Sequence, residues 1–321
     1  ITFVNPGSPV QPLLMELLNS AAENNITFVR PAYFIISGFI GIPNIRYYFV
    51  FLCFIYILAV MGNTLVITVI TLDHTLRSPK YVAVFNLAFT DLLSSSSLMP
   101  KVLDIFLLNH YYISYNDCLT FMFFSFTFYA MQAFNLVVMS FDRVMAIMYP
   151  LHYQMRVSHK LILSLIAFFW LFAITLILTE VGLLTRLSFC KSVIIESYFC
   201  DHGPMYRLGC NDVTHNRAIS GLAVTLILRF PLAFIVGSYL KAFKTCTGHL
   251  SLVAIYFLPI TFVYIFGSVI HPNARIISLS ITTALPPMLN PIIYVLQTQE
   301  IKEALKKLQT RVHVFINSGK G

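Results

Sequence analysis

The stretch Met139-Ser140-Phe141-Asp142-Arg143-Val144-Met145-Ala146-Ile147-Met148-Tyr149-Pro150-Leu151-His152-Tyr153 closes a long apolar run that begins near Cys118. An arginine at the end of such a run is expensive in hydrocarbon unless a partner or the water interface receives it. Asp142 is the immediate neighbour of Arg143 and is placed to hold it at rest. The segment reads as the end of a membrane-crossing helix with a charged device where it leaves lipid. The plainer alternative is an arginine that only snorkels to the interface.

Working outward, the whole chain supports a membrane reading. Its 321 residues are 58% hydrophobic and 11% charged, against about 25% charged in an ordinary soluble domain. That leaves too little polar surface to cover a globule, and it excludes a soluble enzyme, a disordered chain, collagen and a coiled coil. A helix needs about 20 apolar residues to cross a bilayer, and seven stretches qualify: 47–72, 81–108, 118–148, 161–183, 218–240, 250–270 and 276–296. The expected fold is an all-α membrane protein, a seven-transmembrane helix bundle. Residues 1–46 are expected as an extracellular tail, 47–296 as the transmembrane domain and 297–321 as a cytoplasmic helix and tail. In that last part Ile301, Ala304, Leu305 and Leu308 alternate with Lys302, Lys306 and Lys307 as a short amphipathic helix on the inner leaflet.

The net charge of +8 is spread over short segments between the apolar runs, which suits a lipid bilayer better than nucleic acid as a partner. With the N-terminus outside, the inner segments hold twelve Lys and Arg and the outer ones seven, the sign expected of a multi-pass protein with its C-terminus inside. The sequon Asn25-Ile26-Thr27 falls on the outer side, where glycosylation occurs. No cleavable signal peptide is visible in residues 1–30, so the first span is expected to direct insertion. Six cysteines are present and none forms a C-x-x-C pair, which argues against a zinc site. Four of them fall near or in outer segments, where disulfides persist, and four cysteines allow three pairings.

Five segments sit in order along the spans: Gly62-Asn63 on the first, Leu87-Ala88-Phe89-Thr90-Asp91 on the second, the Asp142-Arg143 segment on the third, Lys241-Ala242-Phe243-Lys244-Thr245-Cys246-Thr247-Gly248-His249 before the sixth, and Pro286-Pro287-Met288-Leu289-Asn290-Pro291-Ile292-Ile293-Tyr294 on the seventh. Together they resemble the odorant receptors, a branch of the rhodopsin-like G protein-coupled receptors, over residues 33–310. Gly41-Ile42-Pro43 looks like the fish-type class that takes water-soluble odorants.

The resemblance implies roles. Asp142, Arg143, Asn290, Pro291, Tyr294 and Tyr239 would form the switch that meets a heterotrimeric G protein of the stimulatory, olfactory type, with cyclic AMP as the output. Val144 stands where the family often has tyrosine. Asp91, a carboxylate near mid-membrane, would form a polar core with Asn63 and Asn290. Gln132 stands there in place of a common glutamate, which makes a sodium ion less suited. Pro259 and Pro291 are where the family bends. The resemblance pairs Cys118 with Cys200 and Cys190 with Cys210, and leaves Cys53 and Cys246 as free thiols.

A small-molecule odorant would bind in the outer half of the bundle. Met122, Ser125, Phe126 and Tyr129 share one helical face, and they match family pocket positions together with Thr261 and Tyr264. For any one of them, ordinary helix packing is the readier account. Glu180, near the outer end of the fourth span, is a candidate partner for an amine; Arg229, near the middle of the fifth, has no account in the family. No catalytic constellation, phosphate-binding loop, cofactor site or metal cluster is visible, so no enzyme activity and no cofactor are expected.

One feature departs from the resemblance. Nine residues, 241–249, join the fifth and sixth spans, shorter than the family's usual connection. Antiparallel helices can still be joined this way, but the alternative is a receptor-like chain that cannot couple. A transporter or proton channel is the more distant alternative, raised by Asp91, Lys101, Asp104, Glu180 and Arg229.

Overall fold

The computed structural model describes residues 29–39, 42, 44–240, 254, 256–263 and 270–318. Among the described residues six helices are long and apolar enough to cross a membrane. They are Arg46–Leu72, Pro79–Leu107, Tyr115–Met148, His159–Leu184, a fifth running from Thr214 to Leu240, and Pro272–Gln297. The expected sixth span is represented by the helical residues 256–263. The helices begin one to four residues before the expected starts, and polar residues stand at several of those ends. Ser78 precedes Pro79, Ser114 Oγ accepts from the Asp117 N–H at 3.1 Å, and Ser158 Oγ accepts from the Leu161 N–H at 3.2 Å.

Burial sorts the spans. The third is 67% buried over its most apolar window and forms the axis of the bundle, whereas the first and fourth are 28% and 22% buried and turn most of their surface outward. Phe51 and Phe54 on the first and Phe168 and Leu171 on the fourth are exposed large apolar side chains, placed to meet lipid. The small residues Ala83, Ala88, Ala130 and Ala133 line the buried faces of the second and third spans and let them approach closely.

The disulfide-bearing end is not all-helical, and the segment before the first span contributes a strand to it. Strand β1, Tyr33–Ile36, lies between β2, Tyr112–Ser114, and β3, Ile194–Ile195, in the order β2-β1-β3. β1 pairs antiparallel with β2 (Tyr33 opposite Ser114) and parallel with β3 (Ile35 opposite Ile194). Tyr33-Phe34-Ile35-Ile36 is a run of good strand formers. Alternation buries Phe34 and Ile36, and the Phe34 ring meets Phe189 edge-on at 5.3 Å. Gly38 follows at φ 60°, where a Cβ would collide with the Phe106 ring; only glycine suits that turn.

Cys118–Cys200 and Cys190–Cys210 are disulfide-bonded, with Cα separations of 5.6 and 5.9 Å. They tie the connection between the fourth and fifth spans to the third span and to itself. Cys53 is a free thiol, and Cys246 lies outside the described residues, as do Asn25, Tyr264, Gly41, Pro43 and the whole 241–253 segment. The C-terminal amphipathic helix runs over Gln299–Ser318, past Leu308, the last residue of the expected amphipathic pattern. Its Ile301 and Ala304 are buried against the bundle, and Glu300 pairs with Lys80 at 3.0 Å.

Candidate ligand cavity and polar switch

The middle of the bundle is held by two polar networks. Asp91 is fully buried and accepts from Asn290 Nδ2 at 2.6 Å and from Gln132 Nε2 at 2.9 Å. Asn63, expected as a third partner, is placed otherwise: its Nδ2 donates to the carbonyls of Pro287 at 2.7 Å and Ala59 at 2.8 Å. The reason lies in Pro291, which has no N–H to give the carbonyl four residues back. Asn63 supplies the missing donor from another helix. Gly62 makes the approach possible, since a Cβ there would meet the Pro291 ring at 3.0–3.1 Å. A second network was not visible in the sequence. Asn86 Nδ2 donates to Asn135 Oδ1 at 2.5 Å, Asn135 Nδ2 to Thr90 Oγ1 at 3.1 Å, and Trp170 Nε1 to Asn86 Oδ1 at 3.3 Å.

At the end away from the disulfides, Asp142 and Arg143 form no ion pair. Asp142 Oδ1 instead accepts from the Tyr153 hydroxyl at 2.5 Å. Successive residues on a helix point about 100° apart, so Asp142 turns into the bundle while Arg143 sits half-exposed beside it. Burial and the adjacent carboxylate raise the Tyr153 hydroxyl above its ordinary pKa, which keeps it protonated as the donor. Tyr294 is buried and its hydroxyl meets Met139 Sδ at 3.4 Å. Asn290 serves the Asp91 network described above, and Tyr239 closes the fifth span as helix.

Towards the disulfide end lies a cavity of about 480 Å³. Ser125, Phe126, Tyr129 and Glu180 line it; Met122 and Thr261 do not. Met122 is buried in the layer beneath the strands with Phe34 and Leu119, one turn too far along the third span. Tyr256 Oη donates to the Tyr129 carbonyl at 2.7 Å and the two rings stack 5.1 Å apart, which joins the third and sixth spans at the cavity wall.

The connection between the fourth and fifth spans forms the lid, which sequence reading did not populate with pocket residues. Tyr198, Phe199, Asp201 and His202 line the cavity from above. Asp201 caps the short helix His202–Arg207 and pairs with Arg275 of the seventh span at 2.5 Å. His202 is 3% exposed; neither ring nitrogen has a hydrogen bond of normal geometry, and neighbouring Asn216 Oδ1 likewise lacks a donor. Burial pushes the His202 imidazole down to about 4, so it is neutral near pH 7.

The fifth span explains Arg229. Pro231 interrupts its hydrogen bonds, and residues Thr225–Arg229 form a π-turn closed by the Phe230 N–H to the Thr225 carbonyl. The wider turn brings Arg229 round towards the face of Val224, and both line the cavity. Lys101 and Asp104, also counted as intramembrane charges, pair with each other at 2.7 Å where the second span ends, and His110 meets Asp104 at 2.7 Å.

The helix bundle has a counterpart among solved structures. Squid rhodopsin superposes with a TM-score of 0.68 at 19% identity, covering 85% of this chain and 88% of that one. The likeness shows the fold. A family profile described as "Olfactory receptor" matches residues 52–311. The chain belongs to the olfactory receptor family. Olfactory receptor 1500 of Rattus norvegicus is 34% identical over 288 residues, 83% of this chain and 92% of that protein. Olfactory receptor 1F1 of Homo sapiens is 34% identical over 281 residues, 82% and 90%. This olfactory receptor is therefore an all-α, multi-pass membrane protein of the seven-transmembrane rhodopsin-like fold, and it is not an enzyme. Among the described residues no group of His, Cys, Asp and Glu is arranged to hold a metal ion.

Proposed function

We propose that this receptor binds a small organic odorant in the lidded cavity and, on binding, activates a stimulatory heterotrimeric G protein of the olfactory type, raising cyclic AMP. The observation that carries the reading is the cavity itself. At about 480 Å³ it falls within the 300–1,000 Å³ typical of small-molecule sites, and Ser125, Phe126, Tyr129 and Glu180 line it. The receptor sits in the plasma membrane with its N-terminus outside and its C-terminus inside. The Lys and Arg bias and the Asn25 sequon support that orientation, and it sets the lid towards the odorant and Arg143 towards the G protein. Asp142, Tyr153 and Tyr294 hold the inner end at rest, and the Asp91 core joins it to the cavity. Gly41-Ile42-Pro43 supports a water-soluble odorant of the fish-type class.

The test is odorant-evoked cyclic AMP in surface-positive cells that carry an olfactory stimulatory G protein. A response abolished by Arg143→Ala is expected. Silence that is relieved by lengthening the 241–249 connection would instead favour an uncoupled receptor.

A further inference from the structure

Six charged side chains line the cavity: Glu180, Asp201, Arg207, Arg217, Arg229 and Arg275. Asp201 and Arg275 answer each other at 2.5 Å. Arg207 and Arg217 are exposed, the latter with Asp212 nearby. Two charges remain further along the spans: Glu180, only 5% exposed, and Arg229, which is exposed on the fifth span at the cavity. Neither has an ion pair or a side-chain hydrogen bond to a described residue.

We propose that the ligand is a small zwitterion, with a protonated amine that pairs with Glu180 and a carboxylate that pairs with Arg229. The inference rests on the cavity being the odorant site. A carboxylate withdrawn from water without a partner is unfavourable, and so is an intramembrane guanidinium. An amine alone answers Glu180 but leaves Arg229 unanswered, and it enters a space where guanidinium groups outnumber carboxylates. A carboxylate alone answers Arg229 but shares the space with Glu180. A dipolar ligand answers both, and each pair forms in a partly desolvated site where charge-assisted hydrogen bonds are strong. Ser125 Oγ, buried without a hydrogen-bond partner, and His202, whose ring nitrogens make no hydrogen bond of normal geometry, line the same space and can take up further polar atoms. Arg207 and Arg217 favour entry of the anionic end.

The experiment uses the full chain purified in lipid nanodiscs, with binding read as a shift in thermal unfolding. The probes share one carbon skeleton: 2-aminopentanoic acid, 5-aminopentanoic acid, pentylamine, pentanoic acid and 1-pentanol. At least one zwitterion is expected to bind tenfold or more tightly than the three other probes. Glu180→Gln is expected to weaken the zwitterion tenfold or more while sparing pentanoic acid. Arg229→Gln is expected to weaken the zwitterion tenfold or more as well, while sparing pentylamine, and Arg229→Lys to retain most binding. The comparison of probes on the unaltered chain stands even if a variant fails to fold. Equal binding of an amine, acid or alcohol, or no shift with either zwitterion, would overturn the proposal. Zwitterion binding that survives Ser125→Phe would place the ligand elsewhere and overturn the cavity reading itself. Because the readout needs no G protein, binding without cyclic AMP would count against coupling and leave the ligand assignment standing.

Discussion

At the residue scale, Asn63 shows how one side chain repairs a defect made 228 positions away. Pro291 leaves the Pro287 carbonyl without its helical donor, and the Asn63 amide fills the vacancy at 2.7 Å. Removing that amide strands a buried carbonyl, which costs about 1–3 kcal/mol. Asn63→Ala is expected to lower the unfolding midpoint of the purified receptor; an unchanged midpoint would mean the carbonyl finds another donor. His202 makes a prediction with a sign. Its folded value of about 4 lies below the ordinary 6.5 because burial outweighs the neighbouring Asp201 charge. Between those values the unfolded chain binds a proton that the folded lid excludes, so stability falls as pH drops through that window. Thermal unfolding at a series of pH values is expected to show this slope, and His202→Phe is expected to flatten it.

At the scale of elements, glycine and proline set how closely the first and seventh spans meet. A Cβ at Gly62 would sit 3.0 Å from Pro291 Cβ and 3.1 Å from its Cγ, tighter than ordinary contact, and both partners are rigid. Gly62→Val is therefore expected to force these spans apart and weaken the Asn63–Pro287 bond. The cost is about 1–3 kcal/mol, typical of overpacking. Surface staining and unfolding midpoints measure it, and Gly62→Ala is expected to fall between the two. The fifth span is shaped by the same logic. Pro231 and the π-turn before it determine which face carries Arg229, a result that a uniform helical period does not predict.

For the whole molecule, the lid is the part most dependent on covalent ties. Cys118–Cys200 closes a separation of 82 residues and anchors the lid to the central span. Losing a native disulfide costs about 2–5 kcal/mol. Cys118→Ala with Cys200→Ala is expected to lower the unfolding midpoint and to weaken ligand binding, because the bond anchors the stretch from which Tyr198, Phe199, Asp201 and His202 line the cavity. Cys190–Cys210 closes a shorter separation of 20 residues, so Cys190→Ser with Cys210→Ser is expected to cost less in stability. Equal losses from the two pairs would show that loop length is not what governs the lid.

Six of the spans to within a few residues at their starts, the amphipathic C-terminal helix and the family motifs were legible in the sequence because hydropathy, capping and helical period are local properties. Ser125, Phe126 and Tyr129 were legible for the same reason: one helix face is set by spacing alone. Met122 shares that face but falls in the layer beneath the strands, since depth along a helix is decided by what packs above it. The strand at Tyr33–Ile36 was signalled by its β-forming residues, but its pairing with segments near 113 and 194 was not. Tertiary structure alone decided that Asp142 meets Tyr153, that Asn63 serves Pro287 and not Asp91, that the lid lines the cavity, and that Arg229 turns towards it. Each of these depends on where one element's polar groups fall against another's, and hydrogen-bond geometry discriminates at tenths of an ångström, finer than any periodic pattern of residues can specify.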